Sequence, residues 1–183
     1  MCCVKEPLLR REECVLVVID AQEKLMPVID GKEGVTENIL RLVKFAAIAG
    51  LPVVVSEQMK LGPTLAPIAG ELKNARVIEK ITFDCFGCAP FREEMARLGR
   101  GTLLLTGVEA HICVAQTALG AAGHYRVQVV GDAVSSRTAA NRETALARLR
   151  LSGIVVTSAE MLIYELLKEA GTPEFKATLP LVK

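Results

Sequence analysis

Three residues of this 183-residue chain have the types and positions to do covalent chemistry together: Cys113, Asp20 and Lys80. A thiol becomes a strong nucleophile when it loses its proton, and at an ordinary pKa near 8.5 only about 3% of it is thiolate at neutral pH. Cys113 follows the short turn GVEAHI and opens a helical stretch that continues VAQTALGAAG. Free backbone N–H groups and the positive end of the helix dipole are expected there, and with a nearby ammonium they would depress the thiol by roughly 1 to 2 pH units. Lys80 would supply that ammonium. Asp20 would pair with Lys80, accept the thiol proton and return it to a leaving group. The amides of Glu109 and Cys113, beyond the flexible Gly107, would converge on a developing oxyanion.

For the three to meet, the chain must bring distant segments to one edge. Apolar, β-branched runs of strand length recur at 14–19, 52–55, 75–79, 102–106, 126–130 and 153–157. Between most of them lie stretches with helical spacing, NILRLVKFAAIAG, APFREEMARLGR, ICVAQTALGAAG and TAANRETALARLRLSG, most ending in a glycine. Strands apolar on both faces and separated by helices predict an α/β fold in three αβα layers, with a six-stranded parallel sheet in the middle. In such sheets ligands bind beyond the carboxyl ends of the strands. Asp20 ends the first strand, Lys80 ends the third, and Cys113 follows the fourth. Taken singly, each has an ordinary structural reading: a capping acid, a solvated lysine, a small core thiol. Their joint placement on three strand ends is what points to a site.

The segment SEQMKLGPTLAPIAGELKN (56–74) breaks the rhythm with prolines and glycines and is expected to loop over the site. The tail TPEFKATLPLVK is expected to pack on the surface or on a neighbouring subunit. With no repeat and no linker, residues 1–183 are expected to form one domain.

Composition narrows the partners. A net charge of +1, with 22 basic and 21 acidic residues and no long block of either sign, gives no footprint for nucleic acid. No apolar run reaches the ~18 residues of a membrane span, so the expected partner is a small molecule. Six scattered cysteines behind a start with no apolar leader indicate a reducing, cytoplasmic setting. Cys2 and Cys3 are expected to lie at a frayed, exposed terminus.

At its candidate site the chain resembles the isochorismatase-like cysteine hydrolases, and in particular their isochorismatase-domain-containing members. The blocks that carry this are VVIDAQEKL around Asp20, VIEKITFDCF around Lys80 and LLLTGVEAHICVAQTAL around Cys113, with SEQMKLGPT, VVGDAVSSR and TSAEMLIYELL between and after them. The resemblance runs nearly end to end. It implies a Rossmann-like isochorismatase-type fold, Cys113 as nucleophile, Asp20 as base and acid, and Lys80 as the cation holding both. It also implies a non-proline cis peptide between Val108 and Glu109 and a homo-oligomer of dimers or larger. The family cleaves C–N bonds of small amides and ureido compounds or, in isochorismatases proper, a vinyl ether; a cysteine at 113 favours acyl chemistry on an amide, ureido or related substrate. Nicotinamidases of the family hold a metal with an Asp and several His after the second strand. This chain reads SEQMKLGPT there and has only His111 and His124, so no metal or other cofactor is expected.

Gln22, Glu57, Gln58, Phe83 and His111 fall near strand ends and are candidate pocket walls. His111, two residues before Cys113, is also a candidate papain-type base, which geometry must decide. Two other functions compete. Cys85 and Cys88 form a C-x-x-C pair ahead of a helix, the arrangement of thiol-disulfide redox proteins. A binding protein that keeps the fold without turnover is the third reading.

Overall fold

The structure, a computed structural model, describes residues 8–183; Cys2 and Cys3 lie outside them. Six strands, β1 (Cys14–Ile19), β2 (Val53–Gln58), β3 (Arg76–Lys80), β4 (Thr102–Val108), β5 (Arg126–Ser135) and β6 (Val155–Thr157), form one sheet ordered β3-β2-β1-β4-β5-β6. Every neighbouring pair is parallel, as the expected α/β architecture requires. The order reverses at β1 and β4, which start the two halves of the sheet and are buried along their whole length. Such a switch point opens a crevice at the carboxyl edge.

Alternate residues of the strands enter two cores. Leu16, Val18, Val55, Leu104 and Val130 face helices α1 (Lys32–Ala49) and α6 (Ala159–Leu167). Val15, Val17, Ile19, Val54, Leu103 and Val129 face α3 (Ala89–Leu98), α4 (Ala115–Ala121) and α5 (Ala139–Leu151). Apolar residues on both faces of one strand are what a sheet covered on both sides demands. The Thr138 hydroxyl caps α5 by accepting from the Asn141 N–H, and the Ser158 hydroxyl caps α6 by accepting from that of Met161.

Three segments differ in extent from the sequence pattern. Strand β5 runs to Ser135 rather than stopping at Val130, because its pairing with β4 shifts register between Leu105 and Gly107 and then resumes at Gly107–Val134 and Val108–Ser135. The 56–74 segment gives its first three residues to β2, then crosses the end of β1, where Gln22 and Thr64 form an isolated antiparallel bridge, and includes the single-turn helix α2 (Ala66–Ala69). The tail folds as α7 (Pro173–Val182) against α1, with the Arg41 Nε donating to the Leu181 carbonyl at 2.6 Å and the Arg11 guanidinium to Glu174 at 2.8 Å. Among the described residues no helix is long and apolar enough to cross a membrane.

Candidate active site at the carboxyl edge

Asp20 is the first residue beyond β1, and its backbone is left-handed, with φ +54°. A side chain in that conformation costs about 1 kcal/mol or more and persists where the surroundings fix it. Here the Asp20 N–H donates to the Ser56 carbonyl at 3.0 Å, and the Asp20 carbonyl accepts from the Gln22 N–H at 2.8 Å. The carboxylate is thereby aimed along the carboxyl edge. Its Oδ1 accepts from the Ser56 hydroxyl at 2.8 Å and its Oδ2 from the Lys80 Nζ at 2.8 Å.

Lys80 arrives from the end of β3, two strands away, and its Nζ also donates to Gln58 Oε1 at 2.8 Å. Asp20 is 0% and Lys80 2% exposed. Desolvating two ions costs several kcal/mol each, so such a pair survives only with close geometry and further hydrogen bonds, both of which are present. Burial by itself would lower the Lys80 pKa, but the charge and hydrogen bond of Asp20 outweigh it, and the ammonium is held above its ordinary value.

Cys113 sits in a π-helical turn, Ala110–Val114, that joins β4 to α4. Its thiol is buried and hydrogen-bonded to Asp20. Asp20, Lys80 and Cys113 therefore meet in one place. The expectation of a depressed thiol is reversed, however. Burial pushes the Cys113 pKa up, the Asp20 carboxylate pushes the same way, and the Lys80 ammonium opposes them only in part. The cation expected to serve the sulfur is already committed to the carboxylate, so the resting species is the neutral thiol.

The Val108–Glu109 peptide is trans, as are all those of the described residues, in place of the expected cis bond. The turn is made instead by two positive φ angles, +116° at Gly107 and +57° at Glu109. At Gly107 any Cβ would collide with the backbone carbonyl of Ile19 on β1. The Glu109 carboxylate is buried; its Oε1 accepts from the Arg137 Nε, just beyond β5, at 2.6 Å, and the His111 Nδ1 lies 3.2 Å from its Oε2. His111 Nδ1 also meets the Ser136 hydroxyl at 3.0 Å. Residues two apart in a helical turn point to nearly opposite sides, so His111 faces Glu109 and Ser136 while Cys113 faces Asp20.

The other candidate walls divide. Gln22 and Glu57 are tied to the crossing loop: Gln22 Nε2 donates to the carbonyls of Gln58 and Gly62, and Glu57 Oε1 accepts from both the N–H and the hydroxyl of Thr64 at 2.7 Å. Gln58 holds Lys80 directly, and Phe83 stands half exposed near the rim. Two polar residues outside the sequence-based candidates join this cluster, Ser56 at Asp20 and Thr117 at Cys85. Ser56, a lone hydroxyl in the apolar run VVVSEQ, was the legible one; Thr117 lay unmarked inside a helical stretch.

The C-x-x-C pair does not act as a unit. Cys85 is fully buried, its N–H donating to the Thr117 hydroxyl at 3.0 Å, whereas the Cys88 thiol turns to the Glu79 carbonyl at 3.7 Å. Among the described residues no group of three His, Cys, Asp or Glu side chains is placed to hold a metal ion.

Residues 14–161 match the Isochorismatase domain family. The chain belongs to this family. Among its relatives, the secreted isochorismatase effector Isc1 of Phytophthora sojae is 38% identical over 176 residues, covering 92% of this chain and 84% of the relative. The MAR1 ribonuclease of Caenorhabditis elegans superposes with a TM-score of 0.89 at 29% identity, over 96% of this chain and 92% of that one. The YcaC gene product of Escherichia coli, described as an octameric hydrolase of unknown specificity, shares the fold with a TM-score of 0.85 at 21% identity, over 90% of this chain and 85% of that one. The site above thus lies on an isochorismatase-family hydrolase fold.

Proposed function

We propose that this protein is a cysteine hydrolase of small amides, ureido compounds or related acyl C–N substrates, with Cys113 as nucleophile, Asp20 as general base and acid, and Lys80 as the cation that holds them. The observation that carries this is the buried Asp20 carboxylate that takes a 2.8 Å hydrogen bond from Lys80 and another from the Cys113 thiol. No structural need calls for a buried ion pair beside a buried thiol; covalent catalysis calls for all three.

Because the thiol is neutral at rest, proton transfer accompanies attack. Asp20 takes the thiol proton as the sulfur adds to the substrate carbonyl. The amides of Glu109 and Cys113 receive the oxyanion. Protonated Asp20 then gives its proton to the departing nitrogen, leaving a thioester on Cys113. Water enters, Asp20 accepts a proton from it, and collapse of the second tetrahedral intermediate releases the acid and restores the thiol. Lys80 holds Asp20 in place throughout and favours its return to the carboxylate after each proton transfer. Gln58 and Phe83 contribute to the pocket, with His111 on its β5 side. The unpaired cysteines 14, 85, 88 and 113 support a reducing, cytoplasmic setting. The exposed apolar side chains of Met59, Ile81 and Phe83 near the rim support assembly as a homo-oligomer.

The test is a screen of small amides, ureido acids and related esters with the Cys113→Ala protein as blank. Turnover should vanish in the blank, and denaturing mass spectrometry of the wild type should trap an acyl adduct on the Cys113 peptide. Hydrolysis that persists in Cys113→Ala overturns the assignment.

A further inference from the structure

The proposed mechanism uses one thiol, yet a second is buried against the same charges. Cys85 lies on the turn Cys85–Gly87 between β3 and α3, and two contacts press that turn onto α4, the helix that continues from Cys113. The Thr117 hydroxyl accepts from the Cys85 N–H at 3.0 Å, and Thr117 is four residues beyond Cys113, one turn further along the same face. Gly120, one residue short of the next turn, lets the helix approach Asp84 so closely that a Cβ there would stand 2.8 Å from the Asp84 Oδ2. The Asp84 carboxylate in turn accepts from the Phe86 N–H at 2.9 Å and fixes the turn that carries Cys85. Its thiol is fully buried in the cluster of side chains that includes Cys113, beside the Ser56 hydroxyl that holds Asp20 and in the field of Lys80. Cys88, its partner in sequence, is directed elsewhere.

We infer that Cys85 is the resolving thiol of Cys113: when hydrogen peroxide oxidises Cys113, the packing of the Cys85 turn on α4 lets Cys85 close a reversible Cys85–Cys113 disulfide. This rests on the reading of Cys113 as the reactive thiol. In the first step Asp20 takes the Cys113 proton, the sulfur attacks one peroxide oxygen, the O–O bond breaks, and the departing hydroxide leaves as water with that proton. Cys113 becomes a sulfenic acid, oxidised by two electrons. In the second step the Cys85 sulfur displaces the sulfenic hydroxyl, the S–S bond forms, and the Cys85 proton leaves with the hydroxyl as a second water. Reduction by an added dithiol restores both thiols. A solitary nucleophile lacks this exit and proceeds to the irreversible sulfinic acid.

The experiment treats the reduced full-length protein with a small excess of hydrogen peroxide at pH 8, blocks remaining thiols, digests without reductant and maps cross-links by mass spectrometry. The wild type should yield a Cys85–Cys113 cross-linked peptide that disappears on adding dithiothreitol. In Cys85→Ser the same dose should raise Cys113 sulfinic acid about tenfold, since the competing reversible route is gone. Thr117→Val, which frees the Cys85 N–H and keeps both thiols, should lower the cross-link yield while circular dichroism shows the fold retained. A dominant Cys85–Cys88 cross-link, or sulfinic acid at Cys113 equal with and without Cys85, overturns the inference. The readout is mass, not turnover. Absence of amide hydrolysis with the cross-link present would therefore sink the proposed function alone, and hydrolysis dependent on Cys113 with no cross-link would sink this inference alone.

Discussion

The two edges of the sheet treat charge in opposite ways. At the carboxyl edge Asp20 and Lys80 are withdrawn from water and satisfied by Ser56, Gln58 and each other. At the amino edge a groove of about 580 Å³ runs past Leu51, Leu72, Lys73, Arg97 and Arg100, and Lys73 and Arg97 on it are exposed. Arg97 meets Glu94 at 2.6 Å with most of its side chain in solvent. The amino edge carries an open groove lined by exposed charge, and the carboxyl edge carries a buried ion pair beside a thiol. Buried charge costs several kcal/mol per ion, so it is kept where a reaction needs it, while exposed pairs cost little and contribute little.

Breaking the buried side should have the largest effect. Lys80→Met strands the Asp20 carboxylate, and removing one partner of a buried pair costs about 3 to 5 kcal/mol. A fall of that size in unfolding free energy, read by urea denaturation, should accompany loss of turnover. Asp20→Asn sharpens the point, because Asp20 holds the Cys113 pKa up. Its neutral replacement should speed iodoacetamide labelling of Cys113 near pH 8 while lowering kcat about 10²- to 10⁴-fold, the usual worth of a general base. Slower labelling would mean that Asp20 is not beside the sulfur. Gln22→Ala, which leaves the Gln58 N–H without its 2.8 Å acceptor, should cost about 1 to 3 kcal/mol.

Smaller effects come from pH. Burial pushes Cys14 and Cys85 each up from the ordinary thiol range to about 11. A thiol whose pKa is raised by folding adds stability that is intact below the unfolded value and is lost as pH climbs toward the folded one. Each should therefore cost about 1 kcal/mol of stability between pH 8 and pH 10. Cys14→Ala should remove its share of that slope in denaturation curves measured at both values. Last, Arg97→Ala on the wet edge should leave the denaturation midpoint and turnover unchanged.

The sheet was legible in the sequence because each strand is apolar on both faces and bounded by polar or glycine residues, a local signal that parallel packing leaves intact. The meeting of Asp20, Lys80 and Cys113 was legible for the same reason, since a strand's end fixes which edge a side chain joins. The resting charge of Cys113 was not. It depends on how completely Lys80 is occupied by Asp20, a three-body balance that no spacing encodes. Nor could the extension of β5 be read, because Gly131 and Asp132 look like a turn and only the shift against β4 carries the strand past them. Cys85 was noticed for its neighbour in sequence, Cys88, when the neighbour that matters lies across a helix.

Gly107 leaves β1 and β4 touching through backbone alone, with Asp20 just beyond the one strand and the Cys113 turn just beyond the other. The width of the gap between Asp20 and Cys113 is thus gauged by a missing methyl group. A saturation library at this position, sorted for solubility and then for turnover, should return glycine codons almost exclusively, and an alanine survivor should carry Asp20 and Cys113 prised apart.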